Sequence, residues 1–285
     1  MSDDEKAQHE SEYKALLALF IALLKNLHTD SKEEALYELC ELRAEFAINH
    51  ALKGMNLSVD EALMLLQNYD DENLTQRDKD IRDRVVAAVN NLIDFAVCEE
   101  YQLYLEASQK VGDDDIDFNS DDYEDIEDLC DKYNDIYAAI ENSDIEYAMA
   151  IAAWWVSIAR KEYIVYWTQN DTKVRPWHMA LQGYAAPRDE FPAWMIPPIE
   201  WNCRCFLTTL EQGVMGGSSD VKKVMGSALK VKKPEQISDV FSESVAKCGR
   251  IFSDSHPYFK IKDSDKEMLD GFVKRIRQNY YGKEV

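Results

Sequence analysis

The stretch Trp201–Leu210, with the sequence WNCRCFLTTL, decides how the second half of the chain folds. It follows a double proline and holds two of the six cysteines one residue apart. Its part RCFLTTL has the β-branched and aromatic composition of a strand. Because alternate side chains of a strand point to the same face, Cys203 and Cys205 are predicted to project together.

A partner strand is predicted upstream, in the alternating segment EYIVYWTQND, which ends at Asn170–Asp171. Between the two strands lies a long loop with five of the seven prolines. A loop of that length without regular structure is uncommon unless it is functional or held by specific contacts. Particular side chains are therefore expected to hold it.

Four side chains are candidates for holding this loop. If the two strands pair, Asp171 and His178 come near Cys203 and Cys205. Sulfur, nitrogen and oxygen donors form a set that zinc accepts in tetrahedral sites, although the spacing differs from the CxxC of zinc fingers. Two other interpretations stay open. Both thiols can be small buried hydrophobic groups, or they can form a redox pair, which neighbouring positions on one strand face disfavour.

The first half of the chain is predicted to be helical, because its apolar residues recur with helical spacing and its Ser, Thr and Gly residues mark helix ends. A long helix and a C-terminal amphipathic helix are also predicted in the second half. The predicted helices cover Glu12 to His28, Ser31 to Lys53 with Gly54 as its stop, a start at Ser58, Thr75 to Gln109 ending near Gly112, Tyr123 to about Glu162, and Asp263 to Tyr280.

The charge of the chain restricts its partners. The net charge is −22, which argues against a molecule that binds nucleic acid over its whole surface. Residues 220–285, however, hold 14 Lys and Arg against 10 Asp and Glu, so this segment is the part predicted to approach DNA.

No membrane or secretory role is predicted. The longest apolar run, Ala15–Leu24, spans only about 15 Å as a helix, which is too short for a bilayer. The N-terminus lacks the order of a signal peptide, so the cysteines are expected to be reduced thiols in a cytoplasm unless they bind metal.

An acidic segment separates two of the predicted helices. Residues 113–131 hold 11 acidic residues and no basic ones, and the part near 113–122 is predicted to be a solvated linker. A calcium loop is the alternative, because Asp113, Asp115, Asp117 and Glu124 fall at ligand positions. Phe118 stands where that loop requires glycine, which favours the linker.

The segment 167–210 resembles the phage Mu F-type head morphogenesis domain, and IFSDSHPYFK at 251–260 is similar to the closing segment of such proteins. The resemblance covers about residues 145–262. One branch of the family has Cys-x-x-Cys where this chain has Arg175–His178, and His where it has Trp201. The motif residues are Asp171, Arg175, Pro176, His178, Leu181, Gly183, Pro187, Pro197, Pro198, Asn202, Cys203, Arg204 and Cys205.

The resemblance implies a clasp that ties the loop to the strand hairpin, with or without zinc. The implied zinc ligands are Cys203, Cys205, His178 and Asp171. In the alternative, Asp171 and Arg175 form a buried ion pair that fixes the loop, and Arg204 acts in the same way from the second strand. The predicted clasp residues are Asp171, Arg175, His178, Asn202, Cys203, Arg204 and Cys205.

The resemblance also implies a non-enzymatic minor head protein of a tailed phage, associated with portal or capsid protein and packaged in the head. Its expected location is the virion, and the host cytoplasm during assembly. The rival interpretations are a toxin-type effector or enzyme built on the same domain, and a helical adaptor. The chain shows no GxSxG, P-loop, HExxH or DxDxG motif.

The predicted fold is mainly α with a small α+β domain. A region of long helices over 1–140 is followed by a Mu F-like domain over 141–262, which consists of a short strand hairpin with a long proline-rich loop. A C-terminal helix over 263–285 completes the chain. Residues 1–140 are predicted to attach the protein to portal or another head protein.

Overall fold

The computed structural model describes residues 2–67, 74–112, 118, 121–210, 232–247 and 249–282. Within these ranges the protein is mainly helical with one small antiparallel sheet, as predicted. The helices are α1 (Asp3–Lys25), α2 (Lys32–Met55), α3 (Val59–Gln67), α4 (Gln76–Val111), α5 (Asp121–Cys130), α6 (Ala138–Ser157), α7 (Pro176–Met179) and α8 (Asp263–Tyr281), and the strands are β1 (Tyr163–Trp167), β2 (Ala185–Pro187) and β3 (Phe206–Thr209).

Local capping sets several helix starts. Ser58 exchanges hydrogen bonds with Glu61 at the start of α3, as predicted, and Thr75, the predicted start of the next helix, forms a capping box with Asp78 before α4. The predicted start of α1 at Glu12 was wrong. The helix begins at Asp3, because a capping box between Ser2 and Glu5 stabilises its acidic first turn.

α5 and α6 form one nearly continuous rod from Asp121 to Ser157, which confirms the predicted long helix up to its last turn. A π-helical segment, Asp131–Tyr137, interrupts the rod. α1 packs against this segment, and His9 contacts Asp135 at 2.7 Å. The tertiary contact therefore falls where the helical hydrogen-bond ladder is irregular.

Gly54 does not end α2, so its predicted role as a helix stop was wrong. The helix ends at Met55, and Asn56 adopts the left-handed conformation that closes it. Gly54 instead allows α2 to approach α6. A Cβ atom at this position would lie 2.1 Å from the backbone oxygen of Glu146. The missing side chain is thus a packing requirement between two helices.

We predict that Gly54→Ala destabilises the protein by about 1–3 kcal/mol, because the backbone of α6 must move away from the added methyl group. Gly271→Ala is the matched control. Gly271 lies in α8, and a Cβ atom added there would have no neighbouring atom within 4 Å, so alanine should stabilise the protein by about 1 kcal/mol. Chemical denaturation measures both, and equal effects of the two substitutions would contradict the close approach.

A buried polar network links α2, α4 and α6. The Arg43 side chain is fully buried, and its Nε lies 2.8 Å from Glu99 Oε2. Its Nη2 lies 2.9 Å from Glu141 Oε2, and its Nη1 donates to Asn142 Oδ1 at 3.1 Å. One guanidinium thus joins three helices. Removing one partner of such a network leaves an uncompensated buried charge.

Glu100 lies beside this network and is fully buried. Burial, together with the neighbouring Glu99 carboxylate, raises the pKa of Glu100 to about 8. Its Oε2 accepts a hydrogen bond from Asn134 Nδ2 at 3.3 Å. Among the described residues, Asn134 Oδ1 has no donor. A protonated Glu100 therefore suits this position better than an ionised one.

We predict that Glu100→Gln becomes increasingly stabilising, relative to wild type, as the pH rises from about 4.5 to 8. In this window the folded state holds a proton that the unfolded state has lost, so the wild-type free energy of unfolding falls with rising pH. The glutamine variant lacks this dependence. The stability difference between the two proteins can change by at most about 1.4 kcal/mol for each unit by which the pKa of Glu100 in the folded state exceeds that in the unfolded state. Unfolding curves across the pH range give the answer, and a difference that stays constant with pH would refute the raised pKa.

The sheet has the order β2-β1-β3, with both pairs antiparallel. The predicted pairing of the two main strands is confirmed, with Trp167 opposite Phe206. Three details of the prediction were wrong. The first strand ends at Trp167 rather than at Asn170–Asp171, and the short strand β2 within the loop was not predicted. β3 begins only at Phe206, so the two cysteines precede it instead of opening it.

The closing segment packs on α4. The Asn91 side chain donates to the Phe252 carbonyl at 3.0 Å and accepts from the Phe252 amide at 2.9 Å. Phe95 stacks on Phe252, with ring centroids 4.3 Å apart. Buried residues of α1 to α6, of α8 and of the sheet belong to one hydrophobic cluster. The proposed boundaries at 140 and 262 therefore stay predictions.

Two further predictions concern the acidic segment and the membrane. The acidic positions 113, 115 and 117, on which the linker and the calcium loop depend, lie outside the described residues. Of the helices that the structure describes, none combines the length and the apolar character needed to cross a membrane.

Candidate functional site

Three side chains of the motif converge at the start of β3. His178 lies on the short helix α7, which begins with Pro176 at its first turn. Cys203 and Cys205 lie in the extended segment before β3. The Nδ1 atom of His178 is 3.3 Å from the Cys205 sulfur and 3.9 Å from the Cys203 sulfur. All three side chains are buried.

A turn at Asn202 directs the two cysteines inward. Asn202 has φ 56°, in the left-handed region that asparagine tolerates better than most residues. Its backbone amide donates to Asp144 Oδ2 on α6 at 2.8 Å. Burial raises the pKa of the Asp144 carboxyl to about 7. The turn is thus fixed against α6 at the point where the chain enters the cysteine pair.

Glu200 orients the histidine. Its Oε2 lies 2.6 Å from Nε2 of His178 and accepts a hydrogen bond from Trp177 Nε1 at 2.8 Å. With Nε2 held by the carboxylate, Nδ1 is the ring nitrogen that faces the sulfurs. A carboxylate behind a histidine is the usual outer partner of a metal-binding imidazole.

The pKa values of the two thiols are shifted in opposite directions. A hydrogen bond donated by the Cys203 thiol lowers the pKa of Cys205, and the nearby Arg175 and Arg204 guanidinium groups act in the same direction. The same hydrogen bond, together with burial, raises the pKa of Cys203. The pair is therefore predisposed to carry one thiolate, which is the form that binds metals.

The donor set fits a zinc ion. The ligand atoms of His178, Cys203 and Cys205 all lie within 4.8 Å of one another. One imidazole nitrogen and two sulfurs are common zinc ligands, and tetrahedral sites require a fourth donor. These three residues would hold the metal, and Glu200 would contact Nε2 of His178, the ring nitrogen that faces away from the metal. A bound zinc would fasten α7 to the start of β3.

Asp171 is not part of this cluster, so its prediction as a ligand was wrong. Its carboxylate forms a two-pronged ion pair with Arg204, with contacts of 2.8 and 2.9 Å, and both side chains are nearly half exposed. The reason is that β1 ends at Trp167, which leaves Asp171 in a surface turn.

The predicted pair between Asp171 and Arg175 was also wrong. Arg175 Nη2 donates to the Trp201 carbonyl at 2.9 Å, and its Nε lies 3.5 Å from Glu200. Arg175 therefore holds the far end of the loop through backbone and carboxylate contacts.

Sequence reasoning missed Glu200 and Asp144, two acidic residues that support the motif. Glu200 could have been noticed, because it is a lone acidic residue between Ile199 and Trp201 in an apolar stretch. Asp144 gave no such signal, since it lies 58 residues before its partner Asn202.

Residues 137–208 match the family model described as Phage Mu protein F like protein. This segment is a Mu F-like head morphogenesis domain. The match includes α6, the clasp and all of the sheet except Thr209, and it confirms the resemblance. It is shorter than the expected 145–262 and leaves out the closing segment at 251–260. Searches of the curated proteins and of the solved structures found no significant match.

We predict that the purified protein contains about one zinc ion per chain, and that Cys205→Ser and His178→Ala lose it. Each substitution removes one of the three protein donors. Elemental analysis gives the metal content, and the unfolding midpoint should fall on treatment with a chelator in wild type alone. The zinc prediction is wrong if the wild-type protein contains no metal and added zinc does not change its unfolding midpoint. Hydrogen bonds and burial alone would then hold the clasp.

Two further substitutions test the arrangement around the metal. Glu200→Gln should weaken zinc affinity by roughly 10–100-fold, because the imidazole loses its outer carboxylate. Asp171→Ala is the matched control, since it removes another carboxylate from the same loop. Its surface ion pair should contribute little, so the metal content and the midpoint should stay close to wild type. A loss of zinc in Asp171→Ala would restore Asp171 as a ligand.

Proposed function

We propose that the protein is a structural or assembly minor head protein of a tailed phage, which associates with portal or capsid protein and is packaged in the head. The observation that carries the proposal is the Mu F-like match over 137–208. Within this segment the motif residues His178, Cys203 and Cys205 form one buried cluster. The family supports a head-morphogenesis role in general. Its location in the virion, and in the host cytoplasm during assembly, belongs to the same proposal.

We assign no catalytic step to the clasp. His178, Cys203 and Cys205 have exposed fractions of 2%, 5% and 2%, so little of their surface is open to a substrate. Both ring nitrogens of His178 already face protein atoms. These features support a structural role for the thiols over that of a nucleophile.

The helical half offers surface for a protein partner. The apolar run 15–24 does not supply it, because Leu16, Phe20, Leu23 and Leu24 are buried. Exposed large apolar side chains lie elsewhere among the described residues. Met64 on α3 is 65% exposed, and Ile136 in the π-helical segment is 57% exposed. We propose these side chains as contacts to portal or another head protein.

Contact of residues 220–285 with packaged DNA is a further part of the proposal. All three of its arginines are already paired within the protein, since Arg250 binds Asp254, Arg275 binds Glu34 and Arg277 binds Asp94. DNA contact would therefore depend on the remaining basic residues of the segment. Retention of the full chain on duplex DNA that decreases steeply with salt would support it.

Assembled heads provide the test. The full-length chain, produced during head assembly, should co-purify with heads in a few copies, counted by quantitative mass spectrometry against portal. Met64→Lys and Ile136→Lys should lower the copy number without changing the unfolding midpoint. Gln236→Lys, which adds the same charge at an exposed position, is the control. Absence of the wild-type chain from purified heads would overturn the packaged role.

A further inference from the structure

Two cations lie beside one buried tryptophan. The guanidinium carbon of Arg188 is 5.7 Å from the centre of the Trp155 ring, and the Lys247 Nζ is 5.9 Å from it. Trp155 is 2% exposed and Arg188 8% exposed. Both cations gain from the ring face, but they also repel each other.

The two cations are fixed by backbone carbonyls rather than by carboxylates. Arg188 Nη1 donates to the Ile158 carbonyl at 2.6 Å, just after α6, and its backbone amide donates to the Glu162 carbonyl at 2.8 Å. Lys247 Nζ donates to the Asp189 carbonyl at 3.1 Å. Within the described part of the chain, no carboxylate lies within 4.0 Å of either cation.

One donor is left without a partner. The Nε of Arg188 is buried and forms no hydrogen bond with any described residue. A buried N–H without an acceptor costs about 1–3 kcal/mol, and more when the group is charged. Lys247 has three donors, of which one contacts the Asp189 carbonyl. The arrangement therefore has hydrogen-bond donors and positive charge, and it lacks an acceptor.

Charged groups of both signs lie near the two cations. Arg84 donates its Nε to the Ala246 carbonyl, directly before Lys247, at 3.1 Å. Arg84 and Arg160 lower the pKa of Arg188 further, after burial, while Asp80 and Asp189 act in the opposite direction. Burial likewise lowers the pKa of Lys247. Charges of both signs therefore lie near Arg188, and its buried Nε without an acceptor is the feature that favours an anionic partner.

We propose that Arg188 and Lys247 bind a small oxyanion of the phosphate class beside Trp155. An arginine offers planar donors and a lysine a point charge, and this combination suits phosphate oxygens. Because Arg188 is 8% exposed, a small anion reaches its guanidinium more readily than a DNA backbone does. This site is separate from the clasp and does not depend on the proposed role in the phage head.

Inorganic phosphate is the probe. The unfolding midpoint is followed during a phosphate titration at constant ionic strength, balanced with sodium chloride. Wild type should show a rise that follows the binding curve of a single site. Lys247→Met keeps the apolar stem beside Trp155 and should lose roughly tenfold or more in phosphate affinity. Arg188→Lys keeps the charge but loses the planar donors, and it should weaken binding as well.

Lys260→Met is the matched control, because Lys260 is exposed and its loss changes the net charge equally. It should respond to phosphate as wild type does. A wild type that shows no such rise, or a Lys247→Met variant that responds equally, overturns the site. The same titration with a short DNA duplex distinguishes the source of the phosphate. A response to duplex alone would overturn the small-anion proposal.

Discussion

The guanidinium of Arg43 is the interaction on which the rest of the fold depends. It is buried at the centre of α2, α4 and α6, and it contacts Glu99, Glu141 and Asn142 on the last two helices. Other parts of the fold attach to these helices, since α4 binds the closing segment and α6 leads into the sheet. Burying a charge requires that its partners be in place. The network therefore specifies the relative position of the three helices, which apolar packing alone would leave free to slide.

The clasp is a second constraint, local to the Mu F-like domain. The loop between β1 and β3 has little regular structure, so its position follows from a few side chains. Glu200 orients His178 toward the two cysteines, and the Asn202 turn is bound to Asp144 on α6. The Tyr147 hydroxyl, also on α6, donates to the Cys205 carbonyl. The clasp thus connects the loop to the same N-terminal half of α6 that Arg43 contacts, so the two constraints share this helix.

The sequence predicted those features that depend on near neighbours in the chain. The capping pair of Ser58 with Glu61 acts over three residues, and the pairing of the two main strands follows from their composition. Gly54 was misinterpreted because its role is to admit the backbone of α6, which no local pattern reveals. The convergence of His178 with the cysteines was predicted from the motif. The partner of Asp171 was not, because Arg175 and Arg204 are equally plausible by spacing and only the surface turn favours Arg204.

The distribution of charge connects the fold with its proposed setting. Several basic residues of this acidic chain are used internally: Arg43 in the core, Arg275 and Arg277 in fastening α8 to α2 and α4. A chain that uses its cations in this way presents a mostly acidic surface, on which Met64 and Ile136 are exposed apolar side chains that we propose as contacts to a protein partner. Arg188 and Lys247 are different, since no carboxylate within ion-pair distance in the described chain compensates their charge. Buried charges are normally paired, and a small anion from solution is a partner of the size that can reach the buried guanidinium of Arg188.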